Sequence, residues 1–134
     1  MLSERDIQRL QGVHPDLVML VEMLSGYGPM DFMVIEGVRT VEQQQVNYDS
    51  GASQTMNSRH LTGHAVDLGP LVDGQIPWDN WTVFEQLAGH MKGASALCGF
   101  PIVWGGDWQM KDGPHFELSW EAYPLPEPSA TVPV

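Results

Sequence analysis

The chain has 134 residues, with six basic against seventeen acidic side chains and a formal charge of −11. That length supports one domain with a single sizeable core, and a 43% hydrophobic fraction with five tryptophans argues for a folded chain. The charge excludes affinity for nucleic acid through phosphate neutralisation, no apolar run of about 18 residues is there to cross a membrane, and the lone Cys98 excludes an intrachain disulfide or a Cys-rich zinc site.

In chain order, Ser3 followed by Asp6 predicts an N-cap and a short helix through Leu10. The start, "MLSERDIQRL", lacks the basic and apolar stretches of a secretory signal, so a cytosolic product is expected. In "VHPDLVMLVEMLSGYG", Pro15 suits a first helical position, and Leu17, Leu20, Val21 and Leu24 recur at helical spacing until Gly26 and Gly28. "DFMVIEGV", Asp31 to Val38, predicts a strand. Thr40 caps a further helix that stops at Gly51, and a polar loop follows.

His64 to Leu68 suits a strand, with a turn at Asp73-Gly74. Asp79 or Asn80 then caps the longest helix, which sets Trp81, Phe84, Leu87 and Met91 on one stripe. Cys98 near its end reads as core. "PIVWGG" and "HFELSW" predict two more short strands, and residues from 121 to 134 a proline-rich tail outside a domain of residues 1–120. Helices mixed with short antiparallel strands define an α+β class.

The stretch "NSRHLTGHAVDLGP" carries the chemistry. On a strand, Asp67 shares a face with Ala65 and Gly69, opposite the core-type Val66 and Leu68. Gly63 permits a bend that returns His60 towards Asp67. "HFELSW" repeats the pattern, with Phe116 and Leu118 on one face and His115 and Glu117 on the other. If the two strands pair, His60, Asp67 and His115 converge as two imidazoles and a carboxylate, the ligand type of a catalytic zinc site with one position left for water.

Spacing alone leaves other readings open. His14 and His90 read as surface or satisfied histidines. His64 sits four residues after His60, but Gly63 breaks a helix there and the glutamate of a zincin pair is missing. Asp112 in "KDGPH" reads by itself as a turn residue. Arg39 stands alone, with no acid at helical spacing, either as a solvated surface group or as a functional one.

"SRHLTGHAVD" matches the pattern Ser-x-His-x-x-Gly-x-Ala-x-Asp. It resembles the zinc peptidases that cut D-amino-acid-containing cell-wall peptides, whose fold is shared with the Hedgehog signalling domain. With "VHPDL", "GVRTVEQQ", "WGGDW" and "GPHFEL" in the same order, the chain looks most like the phage endolysins that are L-alanyl-D-glutamate endopeptidases, over residues 13–119. The resemblance implies a small antiparallel sheet flanked by helices, the Hedgehog/D-Ala-D-Ala peptidase-like fold.

It further implies Zn2+ held by His60, Asp67 and His115, Asp112 as general base, and Arg39 on substrate oxygen. Gln43, a helical turn after Arg39, is expected to bond the substrate backbone, and Ser58 either binds substrate or braces the loop carrying His60. Trp108 and Asp107 wall the cleft, orient a ligand or serve the fold; Glu117 is a partner of His115 or a spare ligand. The implied partner is bacterial peptidoglycan, met by a monomer without membrane insertion or nucleic-acid binding. Such a lysin accumulates in the host cytoplasm and reaches the wall after membrane permeabilisation. The rival readings are a D,D- or L,D-carboxypeptidase of wall peptides and a silent zinc-stabilised binding module.

Overall fold

The computed structural model describes residues 2–53 and 55–124. Helix α1 (Glu4–Arg9) starts at Ser3, whose hydroxyl accepts from the Asp6 amide while the Asp6 carboxylate accepts from the Ser3 amide. Helix α2 (Pro15–Tyr27) follows, with Pro15 in its first turn and Gly28 closing it in the left-handed conformation. The expected stop at Gly26 falls inside the helix. Leu17, Leu20, Val21 and Leu24 form its buried stripe, each worth about 1.5–3 kcal/mol of burial.

Strand β1 (Phe32–Glu36) is shorter at both ends than the apolar run suggested. Helix α3 (Val41–Asp49), capped by Thr40, is mostly exposed and buries only Gln44. Strand β2 (Ala65–Pro70) reaches two residues further than expected, and helix α4 (Trp81–Cys98) is the longest element. Asn80 takes the N-cap position of α4 without a side-chain bond. On its stripe Phe84, Leu87 and Met91 are buried, whereas Trp81 stays partly exposed. Cys98 is half-buried beside Met23. Strands β3 (Ile102–Trp104) and β4 (His115–Leu118) complete the α+β fold.

The four strands form one antiparallel sheet in the order β1-β2-β4-β3. One face carries Val34, Val66, Leu68, Phe116 and Leu118 into a core shared with α2 and α4. Helix α1 covers the free edge of β1: the Val34 amide donates to Asp6 and its carbonyl accepts from Arg9. That satisfies both backbone groups of a strand that would otherwise invite pairing. The opposite face holds the polar residues. There Glu36 lies opposite Asp67, and Asp67 opposite His115, so three strands set these side chains in one row.

Tyr123 packs against the core, and its hydroxyl donates to Asp16. Residues 125–134, the greater part of the expected tail, lie outside the described residues.

Candidate active site

The row across the sheet is completed by a short 3-10 turn, Arg59–Thr62, that carries His60 over it. Ser58 caps this turn, its hydroxyl accepting from the His60 amide at 3.2 Å. Gly63 ends it at φ 78°, and a Cβ there would stand 2.3 Å from the Gly12 carbonyl oxygen. Only glycine suits both the left-handed backbone and the contact. His60 is thereby buried with its Nε2 3.1 Å from Asp67 Oδ1, while His115 Nδ1 approaches the same oxygen at 3.3 Å. One donor atom from each of the three residues falls within 4.8 Å of the others.

The far side of each imidazole is held. His60 Nδ1 lies 2.7 Å from the Gly37 carbonyl oxygen, which can only accept, so Nδ1 carries hydrogen. His115 Nε2 lies 2.7 Å from Glu117 Oε1. In neutral imidazoles these bonds leave His60 Nε2 and His115 Nδ1 as bare lone pairs, both facing a carboxylate that also only accepts. Three acceptors turned towards one point require a cation between them, either protons or a metal. The donor set of two imidazoles and one carboxylate, with the outer nitrogens tied down, fits zinc.

Electrostatics follow from the same contacts. Burial pushes the Asp67 carboxyl up, but bonds from His115 and His60 and their charges outweigh it and hold its pKa below the usual range. For His115, burial pushes down, yet bonds to Asp67 and Glu117 carry it up to about 9. A proton therefore sits in the metal-free cluster where a metal would otherwise balance Asp67.

Asp112 stands on the rim of the same cleft, which has a volume of about 1070 Å³. Burial raises its pKa, and the neighbouring Asp67 charge raises it further against the opposing pull of His115, His60 and Arg39. Its backbone is pinned: the Asp112 amide donates to Gly105 and its carbonyl accepts from the His115 amide. A Cβ on Gly105 would come within 2.5 Å of the Asp112 carbonyl oxygen and 3.0 Å of the His115 Cβ. The glycine in "WGG" thus lets the loop bearing Asp112 lie against strand β4.

Arg39 lies at the other edge, its guanidinium 4.0 Å from Asp67. It is not alone, as its sequence neighbourhood suggested. Glu36, three residues earlier, binds it through Nε at 3.2 and 3.1 Å and through Nη2, while Gln44 accepts from Nη1 at 2.7 Å. Burial lowers the Arg39 pKa, but Glu36, Asp67 and Asp112 together raise it. Glu36 does stand at a spacing that helical pairs use, so Arg39 had an acid at hand in the sequence; here a strand residue and the loop residue after it form the pair.

Gln43, expected to point towards substrate, is exposed and bonds Asn47 along α3; it does not line the cleft. Its neighbour Gln44 is fully buried and joins Arg39 to Ser53 and the Thr55 carbonyl. Ser58 and Trp108 do line the cleft, and the Trp108 ring centre lies 5.0 Å from that of His115. Asp107 instead pairs with Lys92 on the surface. His64 turns away from the cluster towards Thr62 and His14, while His14 caps α2 and His90 is exposed.

Arg59, between two motif residues, had drawn no attention. It is buried, donates to the carbonyls of Leu118 and Tyr123, and lies 4.1 Å from the centre of the Trp120 ring. It fastens the segment after β4 beside the cleft that Trp120 lines.

This arrangement defines a class before it defines a family. The fold is similar to that of the vancomycin-resistance D,D-pentapeptidase VanY crystallised with Zn(II), at a TM-score of 0.54 and 14% identity over 79% of this chain and 72% of that one. It is far more similar to the crystal structure of the Serratia marcescens L-Ala D-Glu endopeptidase ChiX, at a TM-score of 0.85 and 41% identity over 92% and 93% of the two chains. The L-alanyl-D-glutamate peptidase of Escherichia phage T5 is 29% identical over 119 residues, 87% of each protein. The model of the phage L-alanyl-D-glutamate peptidase family matches residues 1–123, and the chain belongs to that family.

Proposed function

We propose that the protein is a zinc-dependent peptidoglycan endopeptidase that hydrolyses the L-alanyl–D-glutamate bond of stem peptides, as a phage endolysin in host lysis. The observation that carries the reading is the His60, Asp67 and His115 cluster, with Asp112 on one side and Arg39 on the other, inside one cleft. Family membership over residues 1–123 supplies the bond.

His60, Asp67 and His115 would hold the metal, the imidazoles through Nε2 and Nδ1 respectively. Zinc in such a site polarises a carbonyl oxygen and lowers the pKa of water from 15.7 to about 7. Asp112, with its raised pKa, takes the proton of the attacking water and passes it to the leaving amine of D-glutamate. Arg39, locked in place by Glu36 and Gln44, donates to the scissile carbonyl oxygen as negative charge grows on it. Trp108 walls the cleft beside His115, and Ser58 braces the turn that carries His60.

The match to the phage L-alanyl-D-glutamate peptidase family over residues 1–123 weighs against the carboxypeptidase reading. We place the enzyme in the host cytoplasm until a separate protein opens the membrane. No described helix is long and apolar enough to cross one. Mass spectrometry of digested peptidoglycan tests the assignment. New N-terminal D-glutamate is the expected product; release of D-alanine alone would move the enzyme to the carboxypeptidases.

A further inference from the structure

The cleft contains a cation that the mechanism above does not use. Lys111 lines it immediately before Asp112, and its ammonium group makes no salt bridge among the described residues. Of the other basic side chains there, Arg39 is neutralised by Glu36, and Arg59 is buried against backbone carbonyls. Lys92, the remaining lysine, is spent on Asp107. Lys111 is steered rather than loose: Nζ donates to the Gly106 carbonyl at 3.2 Å and lies 5.6 Å from the centre of the Trp81 ring. An ammonium has three donors, so two remain for another acceptor. In a chain of charge −11, an unpaired cation kept in the cleft is out of character with the rest of the surface.

The chemistry of the leaving residue says what such a cation would meet. In a stem peptide, D-glutamate continues the chain through its side-chain γ-carboxyl, so its α-carboxylate is free. That carboxylate sits on the carbon bearing the nitrogen that leaves when the L-alanyl bond breaks. The leaving nitrogen must lie within reach of the acid that protonates it, here Asp112. The α-carboxyl carbon, two bonds from that nitrogen, then falls in the part of the cleft that Asp112 lines together with Lys111.

We propose that Lys111 is a specificity-determining residue that binds the α-carboxylate of D-glutamate and selects stem peptides in which it is not amidated. This rests on the proposed L-alanyl–D-glutamate activity and names a feature of the substrate it would recognise. Contact with a charged partner makes the bond stronger than a neutral one, and its loss acts on substrate binding.

The test compares N-acetylmuramyl-L-alanyl-γ-D-glutamyl-L-lysine with its α-amide, the D-isoglutamine form, using zinc-loaded full-length protein. The wild type should cut the carboxylate form with kcat/KM about tenfold or more above the amide. Lys111→Gln should remove most of that preference by raising KM for the carboxylate form far more than for the amide form, whose carbonyl offers only a neutral acceptor; Lys111→Glu should reverse it. Zinc content and melting temperature like those of the wild type establish that the variants are folded. A wild type that cuts both forms equally, or a Lys111→Gln variant that loses the same factor on both, overturns the proposal alone. A wild type that cuts neither at the L-alanyl bond overturns the activity assignment and the proposal with it.

Discussion

Glu117 Oε1 lies 2.7 Å from His115 Nε2, two residues away on the same strand and the same face. The contact fixes the ring so that Nδ1 faces Asp67, and it adds electron density to the imidazole. Glu117→Gln keeps the shape and removes the charge. Zinc affinity should fall about tenfold to a hundredfold, measured by competition with a chelator. An unchanged affinity would show that the carboxylate does not serve the metal.

The proton held by His115 in the metal-free cluster gives a pH signature. Its folded pKa of about 9 is above the ordinary histidine value, so its stabilising contribution is complete below about 6.5 and lost as pH rises through 9. The depressed pKa of Asp67 acts oppositely, contributing above the ordinary carboxylate range and fading as pH falls below it. Melting of chelated protein should therefore decline from pH 6.5 towards 9.5. Because zinc displaces that proton, its apparent affinity should rise about tenfold per pH unit up to 9. Calorimetry in two buffers of different ionisation enthalpy counts the proton released; a count of zero at pH 7 would contradict the assignment of the cluster.

Asp112→Asn should lower kcat about 10²–10⁴-fold with zinc content intact. In the metal-free protein burial and the Asp67 charge raise the Asp112 pKa, and the positive charge of a bound zinc should draw it back down. Retained turnover in the Asn variant would remove Asp112 as the base.

Gln43 and Gln44 are adjacent yet should respond very differently. Gln44→Leu strips a buried partner from Arg39, Ser53 and Thr55, at a cost of roughly 1–3 kcal/mol in stability, and lowers kcat as Arg39 loses its position. Gln43→Ala removes an exposed bond to Asn47 and should stay within about 0.5 kcal/mol of wild type, with full activity. Denaturant titration and turnover on peptidoglycan separate the two. Equal losses would mean that α3 is turned differently over the cleft.

Much of this was legible in one dimension because it depends on neighbours in the chain. The cap at Ser3, the proline at the start of α2 and the stripe from Leu17 to Leu24 are local patterns with a helical period. Strand alternation likewise puts Asp67 opposite Val66 and Leu68, and His115 opposite Phe116, whatever the rest of the chain does. Glu36 stands three residues before Arg39, but the chain leaves strand β1 between them, and strand periodicity does not say where the loop returns the guanidinium. The choice of Gln44 over Gln43 rests on about 100° of helix rotation, which sequence period alone does not anchor to the cleft.

Sequence alone marked out the residues that meet in the cleft: a bend at Gly63 between His60 and Asp67, alternating strands around Asp67 and His115, and a motif order that resembles one peptidase group. Only the tertiary structure decided what each of them touches. Register across β1, β2 and β4 aligned Glu36, Asp67 and His115, and packing turned Gln44 inward and left Lys111 without an acid partner among the described residues. The physical reason is range: caps, turns and alternation are set within a few bonds, whereas a hydrogen-bond partner is chosen among groups that only the folded core brings together.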